Sequence, residues 1–304
     1  MNSTDYIKSE LARKEILELF SYFENDTQIQ KLTDFIIPQT LYKYSSINKY
    51  LIDHLKNNSL SASSPTKFND LYDSTMHFDT ASKDIKRHNE LNEGSRKLGL
   101  KEVISDEMKE ILLKRSKEID EHSLTYLTKD FRIICLSSFE RDIKMWSHYS
   151  NNNKGICLAY DFTNSNLSDL IYPIFYITKP IDVTVLCEDD NKIMLAALIS
   201  VISKFRDWEH ENEWRIVFYF FDDGQKRLKI HGIPKPKFIL LGNRFIENIQ
   251  ISRFENYNEY LLIEEFLNYV KDEGIILKII KPQIRSYKLE YENIEINEVL
   301  KELY

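Results

Sequence analysis

The chain has 304 residues, 42% hydrophobic and 12% aromatic, which supports a buried core and excludes a disordered or fibrous protein. Seven glycines and seven prolines are too few for a collagen-like, linker-rich or low-complexity chain. Lysine and arginine number 41 against 48 aspartates and glutamates, and the net charge of −7 argues against coating nucleic acid or an anionic membrane by bulk attraction.

No stretch reaches the roughly 20 apolar residues of a membrane span, and charges from Asp5 to Glu18 interrupt the first 20 residues, so no secretory leader is expected. Cys135, Cys157 and Cys187 are odd in number and widely spaced, with no CxxC. They predict neither a disulfide framework nor a metal site, and they read as small apolar filler in or just past strands of a reduced, cytoplasmic protein.

In chain order, Ile7, Leu11, Ile16, Leu19, Phe20 and Phe23 recur at helical spacing and predict an amphipathic helix from Ser3 to about Glu24. Leu41 to Tyr44 reads as a strand, Ser45-Ser46 as the cap of a helix ending at Asn57-Asn58, and Ser59 to Ser63 as a second strand. Thr80 to Ser123 is charged and helical in pattern, interrupted by Gly94 and Gly99, and predicts an inserted helical hairpin or cap.

The period then changes. Phe131–Leu136 and Lys154–Tyr160 are strand-like runs separated by a helical turn near Lys144–Tyr149. A helix is expected over 191–206. Glu213 to Phe220 is expected to return through the turn Asp222-Asp223-Gly224 as a hairpin with 225–230. Phe238–Leu241 predicts one more strand, Asn256–Val270 a helix, and Ile275–Ile280 and Tyr287–Glu292 extended segments. This order predicts an α+β protein with antiparallel hairpins rather than a doubly wound sheet, and neither GxGxxG nor GxxxxGK[ST] occurs. The expected organisation is a helical extension over 1–40, a core over 41–250 with its insertion at about 80–123, and helix and strands over 251–304 packing on that core.

Four constellations could carry chemistry. In Trp208-Glu-His-Glu-Asn-Glu-Trp-Arg215, an extended chain would put Glu211, Glu213 and Arg215 on one face, opposite Trp214, Ile216 and Phe218. The competing reading is a solvated strand edge with a surface ion pair to Arg215. Ser137-Ser138 and Met145-Trp-Ser-His-Tyr149 offer hydroxyls, an indole and an imidazole to a flat ligand, or else form core. Asn69 and Asp70, in the turn after the second strand, can order a loop through their own backbone as well as touch a ligand. Finally, 224–246 and 274–289 contain no acidic residue; Lys226, Arg227, Lys229, Lys235, Lys237 and Arg244 in the first and Lys278, Lys281, Arg285 and Lys288 in the second could hold phosphates or be solvated lysines.

Taken together, Leu41-Tyr-Lys-Tyr44, Ser63-Ser-Pro-x-x-Phe-Asn-Asp70, Cys135-Leu-Ser-Ser-Phe139, Met145-Trp-Ser-His-Tyr149, Lys154-Gly-Ile-Cys157 and Glu211-x-Glu-Trp-Arg215 resemble a bacterial domain-of-unknown-function family. Its layout is similar to that of the ADP-ribosyltransferases, which include toxins and phage-defence effectors. The resemblance implies a mixed, mainly antiparallel split β-sheet core with an inserted helical region and flanking terminal helices. It also implies NAD as substrate, with Glu213 as the catalytic carboxylate and Glu211 as its partner in an ExE arrangement, although the two could exchange roles. Tyr42, Lys43 or Tyr44 takes the first-strand position and Ser137 or Ser138 the second. Tyr44, Trp146 or Tyr149 would give nicotinamide an aromatic face, with His148 beside them, and Lys43 and Arg215 would meet the pyrophosphate. The chain lacks the first-motif His and the full Ser-Thr-Ser of better-known members.

The implied function is mono-ADP-ribosyl transfer by a toxin or defence effector. Nucleic acid is the favoured acceptor, RNA ahead of DNA, and an antitoxin or chaperone is a possible partner. A host-protein acceptor, an NAD glycohydrolase, a non-enzymatic nucleotide- or partner-binding module and a metal-free nuclease using His148 and Lys43 are the alternatives.

Overall fold

Side chains on successive strand residues point to opposite faces, so the alternation along each strand decides which layer it feeds. The computed structural model describes residues 37–76, 80–99, 105–111, 113–114, 128–187, 192–220, 227–283 and 285–303. The strands are β1 (Leu41–Ser45), β2 (Ser59–Ser63), β3 (Phe131–Ser137), β4 (Ile156–Tyr160), β5 (Ile171–Pro173), β6 (Phe175–Ile177), β7 (Ser203–Phe205), β8 (Glu213–Tyr219), β9 (Arg227–His231), β10 (Phe238–Leu241), β11 (Ile276–Gln283) and β12 (Lys288–Ile294). Among the described residues the helices include α1 (Lys49–Lys56), α2 (Thr80–Lys97), α3 (Ile143–Tyr149), α4 (Ile193–Val201), α5 (Phe245–Glu255), α6 (Tyr257–Asp272) and α7 (Ile296–Lys301), with a helical turn at Thr184–Cys187; residues 106–111 and 113–114 are helical as well.

The protein is mixed α+β, built on one large sheet in the order β12-β11-β10-β4-β1-β3-β2-β9, with β8 on β3 and β5 on β8. Among the described residues its pairings are antiparallel except β10 with β11; β6 and β7 form a separate parallel pair. The two faces follow the residue alternation. Leu41, Ile156, Leu158, Ile239, Leu241, Leu277 and Ile279 face the larger core with residues of α1, α4, α5 and α6. Tyr42, Tyr44, Cys157, Ala159, Leu240 and Ile280 face a smaller one, covered by Met145 and Trp146 of α3.

The sheet branches at β3. One edge of β3 pairs with β8 from Phe131↔Tyr219 to Ser137↔Glu213. The other edge meets β2 at Ser63↔Ile133 and β1 at Tyr42↔Ser137. Between those two points β1 and β2 part, and the backbone carbonyl of Cys135 accepts a hydrogen bond from Lys43 Nζ at 2.8 Å. A lysine side chain thus satisfies a strand carbonyl that would otherwise lack a partner, and the gap it spans opens on the site described below.

Several expectations change. The expected 213–220/225–230 hairpin does not form: β9 pairs with β2, while β8 pairs with β3 along its whole length and with β5 over Trp214–Ile216. The expected helix over 191–206 ends at Val201, and 203–205 become β7; residues 195–202 are buried throughout, so no polar face marks where the helix stops. Asn48, not Ser45-Ser46, caps α1, its Oδ1 accepting from the N–H groups of Tyr50 and Leu51 at 3.0 Å, while Ser45 ends β1. α2 runs through Gly94 and the chain leaves it at Gly99, where φ is +68°. Cys187 closes a helical turn rather than a strand. The Ser3–Glu24 helix and the 222–224 turn lie outside the described residues.

Two glycines are fixed by close approach. A Cβ at Gly155 would run into the carbonyl oxygen of Ser45, and one at Gly242 into that of Asn153. The Asn153 carbonyl is held there by a left-handed run at Asn151, Asn152 and Asn153, with φ of 50°, 54° and 67°, a conformation asparagine tolerates better than most residues.

Candidate active site

The site is built around a bend. Residues 206–211 form a 3-10 turn that ends at Asn212, whose φ of +45° is left-handed, and β8 starts at the next residue. Glu211 is therefore not on the strand, while Glu213 and Arg215 share one face of β8 opposite Trp214 and Ile216. Two serines at the end of β3 hold the bend. Ser137 Oγ donates to the Glu211 carbonyl at 2.7 Å, and Ser138 donates to the Asn212 carbonyl through its N–H at 2.9 Å and its Oγ at 3.2 Å.

Behind the bend lies a buried charge cluster. Arg215 is fully buried; its Nε donates to Glu213 Oε1 at 2.8 Å and its Nη2 to Glu213 Oε2 at 3.2 Å. Its Nη1 and Nη2 hold Asp73 in a two-pronged pair at 2.8 and 2.5 Å, and Nη1 also reaches the Val201 carbonyl at 2.7 Å. All five guanidinium N–H groups thus meet protein acceptors. Lys204 of β7 donates to Glu211 and, at 3.0 Å, to Glu213, and lies 3.7 Å from Asp73. Tyr149 Oη donates to the second oxygen of Glu211 at 2.7 Å. These contacts overturn the solvated-edge reading, since Glu211, Glu213 and Arg215 are all buried.

The two glutamates sit in opposite electrostatic positions. Burial works against ionisation of Glu213, but Arg215 and Lys204 outweigh it and hold that carboxyl well below the usual carboxylate range. Burial raises Glu211, and with the repulsion of Glu213 it outweighs the opposing pull of Lys204 and the Tyr149 hydrogen bond, so Glu211 titrates above its ordinary value. Burial also disfavours the charge on Lys204, yet Glu213 and Glu211 more than restore it. Burial and then the charge of Glu213 push the Cys135 thiol up, and burial followed by Glu211 does the same for the Tyr149 phenol. Both stay protonated as donors.

A cavity of about 200 Å³ opens in front of the cluster, with Tyr42, Tyr44, Phe68 and Tyr149 as its aromatic walls and Lys43, Asn69, Asp73, Ser137, Lys204, Glu211 and Glu213 as polar lining. Of the residues singled out from sequence, Tyr42, Lys43, Tyr44, Asn69, Ser137, Tyr149, Glu211 and Glu213 meet here. The others do not. Trp146 is fully buried behind Tyr44, whose ring it meets edge-on at 5.3 Å, and its Nε1–H donates to the Glu140 carbonyl. His148 is exposed, and Ser138 lines a different cavity with Tyr176 and Trp214. Arg215 lies behind Glu213 with every donor engaged, so it positions a carboxylate rather than meeting a pyrophosphate. Asp70 orders its turn, Oδ1 accepting from the Tyr72 N–H at 2.9 Å.

Lys204, Asp73, Phe68 and Cys135 also line the cavity and are not site candidates in the sequence reading. The available signal for Lys204 was a lone charge in the apolar run from Leu195 to Phe205; for Asp73, its place three residues past the turn at Asp70. Half of the basic residues in the two windows are neutralised: Lys229, Lys235, Lys237, Arg244 and Lys281 pair with Asp53, Glu273, Asp161, Glu247 and Glu292. Neither a metal-binding cluster nor a helix long and apolar enough to cross a membrane occurs among the described residues.

Residues 145–216 match the model of a family described as a protein of unknown function (DUF2971). That stretch runs from α3 into β8 and carries Tyr149, Lys204, Glu211, Glu213 and Arg215. No curated protein and no solved structure matches the chain.

Proposed function

We propose that this protein is an NAD-dependent mono-ADP-ribosyltransferase on an ADP-ribosyltransferase-like split sheet, acting as a toxin or defence effector. The observation that carries the reading is that Glu211 and Glu213 open on one aromatic-walled cavity while their environments drive their protonation apart, as an acid–base pair requires. Glu213, held ionised, faces the positive charge that develops on ribose C1′ as the bond to nicotinamide breaks. The bonding pair leaves with the nicotinamide nitrogen, which departs neutral. The acceptor's lone pair forms the new bond to C1′, and its proton passes to Glu211. Tyr44, Phe68 and Tyr149 supply faces for the flat ring. Nucleic acid, RNA ahead of DNA, is the proposed acceptor. With five basic side chains already paired to acids, the basic windows add little to that choice. An active enzyme of this kind calls for a restraining antitoxin.

The test is incubation with labelled NAD and, separately, total RNA, DNA and protein. Transfer to one of them by wild type, with loss in Glu213→Gln, is expected. Equal transfer by both removes Glu213 from the mechanism, and no transfer to any overturns the transferase reading. Release of free ADP-ribose alone would make the protein a glycohydrolase. A second reading, a non-enzymatic nucleotide-binding module, is favoured by one observation: both Glu213 oxygens already accept from Arg215 and Lys204. NAD left intact while binding persists would establish it.

A further inference from the structure

The cavity of about 200 Å³ is smaller than the roughly 300–1,000 Å³ of pockets that enclose a drug-sized ligand, so most of a dinucleotide must lie outside it. A row of rings leads away from its mouth on the same face of the sheet. Tyr42 lines the cavity; Ala159 stands opposite both Tyr42 and Phe238 in the strand register, and the small residue lets the two rings approach to 6.4 Å between centroids. Phe238 lies 6.5 Å from Tyr291 on the edge strand β12, where Tyr291 is 37% exposed. Between them Lys278 places its ammonium 4.0 Å from the centre of Phe238 and 4.8 Å from that of Tyr291. Lys229, Lys235, Lys237 and Lys281 of the basic windows pair with carboxylates. Among the described residues Lys278 has these two rings as partners and no carboxylate in an ion pair with it.

We infer that the row Tyr42–Phe238–Lys278–Tyr291 binds the adenosine diphosphate end of the dinucleotide, the purine stacking on Phe238 or Tyr291 and Lys278 exchanging their π faces for phosphate oxygen. A charge-assisted bond to phosphate is stronger than a contact with a ring face, and aromatic stacking accepts a purine without requiring hydrogen bonds to its edge. The row joins the cavity through Tyr42, which fits one ligand spanning both. This rests on NAD being the ligand of the cavity, and the experiment separates the two ideas.

The probes are ADP and nicotinamide mononucleotide, titrated calorimetrically into wild type, Tyr291→Ala and Lys278→Gln. ADP is expected to bind about tenfold more weakly to each variant, while the mononucleotide binds all three alike and so reports an intact cavity. Equal ADP affinity in wild type and variants, or no ADP binding to wild type, overturns the inference. If NAD is never cleaved but ADP follows this pattern, the row stands and the transferase reading falls. If NAD is cleaved with an unchanged KM in Tyr291→Ala, the row falls and the transferase reading stands.

Discussion

The cluster behind β8 and the basic windows of the C-terminal half use the same residue types to opposite effect. Asp73, Lys204, Glu211, Glu213 and Arg215 are withdrawn from water and hold one another at hydrogen-bonding distance. Lys281 and Glu292, by contrast, make an ion pair with both side chains more than half exposed. Charge density along the chain does not separate the two regions. Desolvation does, because a charge without water depends on its partners, whereas an exposed pair can exchange its partner for solvent.

The largest expected effect comes from breaking the buried side. Arg215→Leu leaves Asp73 and Glu213 facing Lys204 alone and should cost about 3–5 kcal/mol, read from urea unfolding. A loss under 1 kcal/mol would mean that the cluster is wetter than its burial indicates. Next, under the proposed function, Glu213→Gln should slow nicotinamide release by about 10²–10³, since it removes the fixed negative charge but keeps the shape. Glu211→Gln should retain more cleavage of NAD than Glu213→Gln does, and comparing the two rates decides which carboxylate faces C1′.

A smaller effect sharpens the difference between the two glutamates. Glu211 acts as a base only when deprotonated, so activity should fall as the pH drops through its raised value. Tyr149→Phe removes a hydrogen bond that favours the charged form, which raises Glu211 further and moves the acidic limb of the rate profile to higher pH. A limb that stays in place or moves to lower pH would contradict the Tyr149–Glu211 contact as a working one. At the other extreme, Lys281→Ala should leave the urea midpoint where it is.

Much of the fold could be read in advance. Short β-rich apolar runs marked β1, β3, β4 and β10, and polar breaks marked α1 and α6, because both signals depend on residues within one element. The hairpin after β8 failed for a non-local reason: β9 takes as its partner β2, a strand far earlier in the chain, which no local pattern signals. The site was legible in its glutamates, its tyrosines and Ser137. It was not legible in Lys204 or Asp73, which reach it from β7 and from the turn after β2, nor in the withdrawal of Trp146 and Arg215 from the cavity.

By itself the sequence determined that this chain folds as a mainly antiparallel α+β protein and that Glu211-x-Glu-x-Arg215 concentrates charge at the start of a strand. Only the tertiary structure decided that those charges are buried, that Lys204 and Arg215 neutralise them unequally, and that the two glutamates therefore titrate in opposite directions. The physical reason is that the cost of a charge is set by how much water it loses and which opposite charges replace that water, and both depend on residues distant in the chain.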